Sequence, residues 1–212
     1  MSVLITGGAG FIGSHLVDHL LAATDHQIVV LDDFSTGSAS NLEHLETDRL
    51  TTIDGDVRND ALVADCVAEA EVVYHLAAAV GVKTVVENPL DSIQTNLRGT
   101  EHVLEAAARD TTPTFIASSS EVYGKSERVP FSEGDNRVYG PTTSPRWGYA
   151  TAKAADEFLA LAYADEHDLP VAVGRYFNIV GPRQTGQYGM VIPTFVEQAL
   201  AGDDLTVYVD GT

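Results

Sequence analysis

Short runs of apolar, often β-branched residues alternate with longer segments of helical spacing along nearly all of the 212-residue chain. The spacing predicts strands over Val3–Thr6, Ile28–Asp32, Thr51–Asp54, Val72–Leu76, Thr114–Ser118, Val171–Tyr176 and Leu205–Val209. Between them it predicts helices near Ile12–Ala23, Ala61–Ala68, Ser92–Arg109, Tyr149–His167 and Ile192–Ala201. The first five strand runs are dense in Val, Ile and Leu without polar alternation, the pattern of a parallel sheet covered on both faces. Repeated β-α-β units imply a doubly wound α/β fold with right-handed crossovers. The stretch Glu127–Arg146, rich in Pro, Gly and charge, reads as a long functional loop leading into a helix.

The first chemistry-bearing motif, TGGAGFIG (Thr6–Gly13), lies between the first strand and the first helix. Gly7 permits a tight turn, Gly10 lets backbone approach a pyrophosphate, and Gly13 lets the helix pack closely on the sheet. The helix N-terminus directs N–H groups at the anion. The second strand ends in Asp32-Asp33, about 20 residues on, where an acidic group hydrogen-bonds an adenosine ribose. That carboxylate repels a 2′-phosphate, and neither Arg nor Lys occurs between Asp32 and Arg49, so NAD is expected over NADP. After the third strand, Asp56 of GDV (Gly55–Val57) is placed to reach an adenine edge or to cap an ordinary turn.

A second motif, YATAK, sets Tyr149 and Lys153 four residues apart, on one face of a predicted helix. An ammonium beside a phenol favours the phenolate. A phenolate at a nicotinamide removes the proton of an alcohol while hydride leaves its carbon. Upstream, SSSEVYG (Ser118–Gly124) closes the fifth strand with three hydroxyls and Glu121. Ser119 or Ser120 is placed to bond the same substrate oxygen, and capping of the strand end is the alternative use for these serines.

Together with HLAA (His75–Ala78), NLRGT (Asn96–Thr100) and RYFNIVGPRQ (Arg175–Gln184), these motifs resemble the NAD-dependent nucleotide-sugar epimerase/dehydratase family of extended short-chain dehydrogenases/reductases. The resemblance spans essentially the whole chain. It implies a Rossmann domain over residues 1–176 and the start of a nucleotide-sugar lobe over 177–212. By the family pattern Tyr149 is the base, Lys153 its partner on the nicotinamide ribose and Ser119 the assisting hydroxyl. Gly7, Gly10, Phe11, Ile12, Gly13, Asp32, Asp33, Asp56, Val57, Leu76, Ala77, Ala78 and Asn96, with Tyr149 and Lys153, would line the NAD site. Ser119, Ser120 and Asn178 would hold the sugar-nucleotide. A homodimer through the helices at Ser92–Arg109 and Tyr149–His167 is also implied.

The family shares oxidation of the sugar 4-hydroxyl to a 4-ketone and then diverges. Epimerases turn the ketone over, 4,6-dehydratases use an Asp-Glu pair to expel water, and decarboxylases lose CO2 from a 4-keto uronic acid. Glu121 occupies the dehydratase base position, but Ser120 replaces the aspartate beside it, and Ser119-Ser120-Glu121 is similar to the strand end of decarboxylases. Glu121 is expected beside the sugar ring, handling a proton or orienting the pyranose. A nucleotide-sugar 4-epimerase of UDP-glucose 4-epimerase type is the first reading, with UDP-glucuronate decarboxylase or a 4,6-dehydratase as alternatives. A non-catalytic NAD sensor is the competitor from another class, and the conjunction of Ser119, Tyr149 and Lys153 argues against it. Family members continue well past VYVDGT (Val207–Thr212). If the polypeptide ends there, NAD binding is expected to survive and catalysis to be weak.

Composition narrows the setting. Cys66, the one cysteine, excludes an intrachain disulfide, and His15, His75, His102 and His167 show no metal-ligand spacing, so no metal site is expected. There is neither a signal peptide pattern nor an apolar run near the length that spans a bilayer, and the cytoplasm is the expected location. With 31 acidic against 12 basic residues the net charge is −19, which repels nucleic acid and anionic lipid surfaces. Such acidity also fits a high-salt cytoplasm, where acidic side chains keep the surface hydrated and salt screens their repulsion. On that reading the melting temperature should rise from low to multimolar KCl, and a thermal melt series that stays flat or falls removes it.

Overall fold

The computed structural model describes residues 1–81, 87–126, 128–185 and 190–207. Six parallel strands form one sheet in the order β3-β2-β1-β4-β5-β6. They are β1 (Ser2–Thr6), β2 (Gln27–Asp32), β3 (Leu50–Asp54), β4 (Val72–His75), β5 (Thr114–Ser119) and β6 (Val171–Tyr176). The helices are α1 (Phe11–Ala23), α2 (Asp60–Ala68), α3 (Pro89–Asp110), α4 (Arg146–His167) and α5 (Val191–Ala201). This is the doubly wound arrangement that the alternation of strand and helix patterns predicts.

Side chains that alternate along a strand reach opposite faces, so a strand apolar at every position needs cover on both. On β1, Val3 and Ile5 join Ile28 and Val30 of β2 and Val17 and Leu21 of α1 in one core. Leu4 turns the other way, to Leu31, Val73, Ile116 and the α2 and α3 residues Val63, Val67, Val103 and Leu104. Cys66 is buried in that second core, as a small apolar residue would be. Left-handed residues at Thr111 and Asp168 end α3 and α4, and Pro89 begins α3 where a missing N–H costs nothing.

Three elements depart from the pattern reading. β3 is not covered on both faces: it is an edge strand in which Thr51, Thr52 and Asp54 are exposed. Edge position explains this, because one flank of β3 has no neighbour to seal it. Helix α4 starts at Arg146 rather than Tyr149, with Pro145 as its N-cap, so Tyr149 sits beyond the first turn instead of at the start. The predicted strand Leu205–Val209 does not form over residues 205–207, and Tyr208 and Val209 lie outside the described residues. The nearby α5 has no buried residue. Among the described residues no helix is long and apolar enough to cross a membrane.

The sheet order places its topological switch between β1 and β4, whose crossovers leave in opposite directions. Ligands of open α/β sheets bind in the crevice beyond the C-terminal ends of such a strand pair. The glycine motif follows β1, and the loop Leu76–Ala79 follows β4.

Candidate active site

Close packing dictates the glycines at the switch. Gly7 has φ +72°, and a Cβ there would lie 2.7 Å from the Ala77 nitrogen. A Cβ on Gly13 would sit 2.2 Å from the Gly7 carbonyl, so the helix approaches the turn only because that atom is missing. A Cβ on Gly10 would meet nothing but the Gly7 carbonyl, at 3.2 Å, leaving space beside the N-terminus of α1 where first-turn N–H groups have no intrahelical acceptor. An open glycine turn joined to free amides suits a dinucleotide's pyrophosphate.

Asp32 is buried at the end of β2. Its Oδ2 accepts from Ala9 N at 2.8 Å and its Oδ1 from Phe34 N at 2.9 Å, so the carboxyl braces the glycine loop. Burial pushes this carboxyl above its ordinary range, and the two backbone donors oppose the rise. Asp33 is turned to Ser35 instead, accepting from its N at 2.9 Å and its Oγ at 2.6 Å. Asp56 is gripped by Arg58, whose Nε lies 2.8 Å from Oδ2, and hydrogen bonding to that guanidinium holds the carboxyl below its usual range. Arg58 also reaches Asp91 on α3 at 2.6 Å. Any adenine contact by Asp56 must share its oxygens with Arg58.

Across the crevice, the loop after β4 is held from both sides. Ala77 N donates to Thr6 Oγ1 at 3.2 Å, and Asn96, buried on α3, accepts from Ala79 N at 2.9 Å. Val57 packs against Gly99, where a Cβ would lie 2.7 Å from its methyl. Phe11 stacks edge-on with His15, and Ile12, Leu76, Ala77 and Ala78 are half-buried around the opening.

The hydroxyl run after β5 divides according to strand alternation. Ser118 follows the buried face and donates to Glu157 Oε1 at 2.5 Å, a structural task. Ser119 is half-buried and its Oγ accepts from Glu121 N at 3.2 Å, opening a 3-10 turn over Ser120–Tyr123. A hydroxyl that accepts one bond still has its own O–H to give, so this cap is compatible with donation to a substrate oxygen. Ser120 is half-buried in the turn.

Tyr139, from the long loop, fastens this turn to the start of α4. Its Oη donates to the Val122 carbonyl at 2.9 Å and lies 3.4 Å from that of Ala150. Glu121 is exposed and pairs with Arg146 at 3.8 Å. Arg146, Tyr149 and Lys153, at i, i+3 and i+7, therefore form one stripe on α4 beside the end of β5. Tyr149 is half-buried, whereas Lys153 is only 2% exposed, with Nζ 3.2 Å from Asp156 Oδ2. Asn178 lies two residues past β6, exposed.

A family model described as the NAD dependent epimerase/dehydratase family matches residues 3–212. The chain belongs to that family. A UDP-N-acetyl-alpha-D-glucosaminuronate decarboxylase of Bacillus cytotoxicus is 46% identical over 209 residues, which cover 98% of this chain and 64% of the relative. Among solved structures, UDP-N-acetylglucosamine 4-epimerase from Methanobrevibacter ruminantium M1, in complex with UDP-N-acetylmuramic acid, has a TM-score of 0.89 at 33% identity. That likeness covers 99% of this chain and 66% of the epimerase. UDP-glucuronic acid 4-epimerase from Bacillus cereus, in complex with UDP-glucuronic acid and NAD, has a TM-score of 0.87 at 32% identity, covering 100% of this chain and 67% of that one. The chain thus spans about two thirds of the length of these three proteins and about half of some other relatives.

The sequence motifs pointed to the glycine turn, Asp32, Ser119, Tyr149 and Lys153, but not to the groups that hold them. Arg58, Arg146, Asp156 and Glu157 were not singled out. Arg146, Asp156 and Glu157 carried a usable signal, since each lies at helical spacing from Tyr149 or Lys153, but the spacing did not show which of them would be buried. Among the described residues no group of three or more His, Cys, Asp or Glu is placed to hold a metal.

Glu157 supplies a pH test. Burial alone would raise its carboxyl, but Arg175 (Nε at 2.8 Å, Nη2 at 2.7 Å) and Ser118 outweigh it, and the group titrates below its ordinary 4.5. A depressed folded-state carboxyl stabilises the fold above the unfolded value and loses that contribution as pH falls through the folded one. Glu157→Gln should therefore be less stable than the parent near neutrality. Its melting temperature should also fall less steeply than the parent's as pH drops below about 4.5, as followed by circular dichroism.

Proposed function

We propose that this chain carries the cofactor site and catalytic edge of an NAD-dependent UDP-sugar enzyme that oxidises C4 of the sugar, and that its substrate is a UDP-hexuronic acid decarboxylated at the 4-keto stage. The observation that supports the reading is the helical spacing of Arg146, Tyr149 and Lys153 on α4 together with the pairing of Arg146 with Glu121 in the turn that Ser119 opens after β5. Identity of 46% to a UDP-N-acetyl-alpha-D-glucosaminuronate decarboxylase supports decarboxylation ahead of the epimerase reading that came first from sequence.

The glycine turn and the α1 N-terminus would hold the NAD pyrophosphate, Asp32 the adenosine ribose, Lys153 the nicotinamide ribose, and Asn178 the sugar-nucleotide. NAD, when bound, supplies acceptance and return of a hydride. Tyr149 takes the proton of the 4-hydroxyl, and Lys153, one turn along the same face, stabilises the charge developing on the phenol oxygen. Ser119 gives its O–H to the substrate oxygen. Once C4 is a ketone, the uronic acid is a β-keto acid: the C5–C6 bond breaks, its electron pair enters the enolate on O4, and CO2 departs. Tyr149 and Ser119 stabilise that enolate by hydrogen bonding. Glu121 delivers a proton toward C5, and Arg146 offers a countercharge to the substrate carboxylate until it leaves.

A 4-epimerase is the second reading, supported by the TM-scores of 0.89 and 0.87 to two 4-epimerases. We also propose a homodimer through α3 and α4, supported by Phe158 and Leu161, which expose 62% and 59% of their surface on α4.

Incubation with NAD and a panel of UDP- and dTDP-sugars, with products resolved by chromatography and mass, separates the readings. Loss of CO2 from a UDP-hexuronic acid is expected. An isobaric product would mean epimerase, loss of water dehydratase, and NAD binding without product the sensor. Tyr149→Phe should lower turnover by about 10²–10⁴-fold, and Glu121→Gln should lower it with NAD affinity unchanged. For assembly, Phe158→Glu should convert the dimer to a monomer in sedimentation velocity. A parent protein that is already monomeric sinks that part.

A further inference from the structure

Lys153 and Asp156 are buried together, one turn apart on α4, with side-chain exposures of 3% and 0%. The other buried positions of this helix are Ala150, Ala152, Ala154, Glu157 and Ala160, so apart from Glu157 packing here selects small apolar residues. A carboxyl buried in such surroundings costs stability, and a well-packed apolar pair is commonly the more stable alternative, so its presence calls for a role. Neither Asp156 oxygen has a directed hydrogen bond of good geometry. What faces the carboxyl is the Lys153 ammonium at 3.2 Å and the hydroxyl of Thr100 on α3.

The other charged groups nearby are committed. Glu157 is occupied by Arg175 and Ser118. His75, from β4, is held in the uncharged form, pushed down to about 3 by burial and by Lys153. Its ring joins Thr100 Oγ1 at 3.2 Å to Thr6 Oγ1 at 2.7 Å. Hydrogen bonds therefore run from the end of β1 through His75 to Thr100, whose hydroxyl faces the Asp156–Lys153 pair.

We propose that Asp156 is a positioning residue whose buried carboxyl holds the Lys153 side chain aligned at the tyrosine-bearing edge of the site, with Thr100 and His75 tying that hold to the strand that carries the glycine loop. Lysine has a flexible stem, and a fixed countercharge behind it leaves the remaining N–H donors aimed at the crevice. Without the carboxyl, the ammonium would be an unpaired charge in a buried site, which favours its neutral form. The proposal rests on the function above for the use made of Lys153, but not for the contact itself.

The chain has three lysines, Lys83, Lys125 and Lys153, so lysine labelled with ¹³C at Cε gives a three-signal spectrum in which Lys153→Arg identifies one. In Asp156→Asn, with folding checked by circular dichroism, the Lys153 signal should titrate about one pH unit lower or more, while the other two stay in place. An unmoved Lys153 signal in the folded variant overturns the proposal. Should Asp156→Asn not fold, Thr100→Val removes only the hydroxyl facing the carboxyl and should move the signal in the same sense by less; no movement there overturns it too. A shifted signal in a protein that turns over no UDP-sugar sustains the positioning role and counts against the enzymatic reading alone.

Discussion

The hydroxyl of Thr6 lies where the two halves of the sheet part. It meets the His75 ring at 2.7 Å and accepts from the Ala77 amide at 3.2 Å, joining the ends of β1 and β4. Parallel strands whose crossovers leave in opposite directions open a crevice at that point. The crevice keeps its shape only if the two chain ends stay in register while neither helix covers them. Gly7, packed against the Ala77 backbone, lets the ends approach, and Asp32 reaches across from β2 to brace the turn. The cofactor side of the site follows from these contacts.

The α4 side of the candidate site depends on a separate attachment. Helix α4 lies against β5 through Ser118, Glu157 and Arg175, a bidentate ion pair closed by a hydroxyl at the sheet's edge. Tyr139 adds a second tie between the turn after β5 and the first turns of the helix. With both in place, a stripe of side chains from Arg146 to Lys153 lies beside the strand end, and polar groups of quite different character meet there. Ser118 is spent on structure, Ser119 caps a turn while keeping a proton to donate, and Glu121 stays exposed beside Arg146. The hydroxyls and the carboxylate thus share a short stretch because strand alternation sends them to different places.

Two expectations from sequence took on different detail in three dimensions. Asp56 is bound to Arg58, which reaches on to Asp91, so the pair links the loop after β3 to α3. Helix α4 gains a turn at its N-terminus, which brings Arg146 onto the tyrosine face. Pro145 explains this: proline is favourable where a helix begins, but the charge and glycine preceding Tyr149 concealed the start in the pattern.

Local chemistry was readable from the order of residues alone. Apolar runs of strand length mark the six strands of the sheet, though the run at Leu205–Val209 forms none over residues 205–207; glycines at three-residue spacing mark a tight turn and a tyrosine four residues before a lysine a shared face, because each depends on backbone geometry within a few positions. Burial was not readable in the same way. Nothing in AKAADEF distinguishes Asp156 from a solvated helix residue, and only the packing of α3 against α4 removes it from water and sets it against Lys153. The same holds for His75, whose partners stand 69 and 25 residues away. Sequence determined the elements and the reactive groups; tertiary structure decided which charges lost their solvent and therefore which of them must act together, since desolvation depends on neighbours far along the chain.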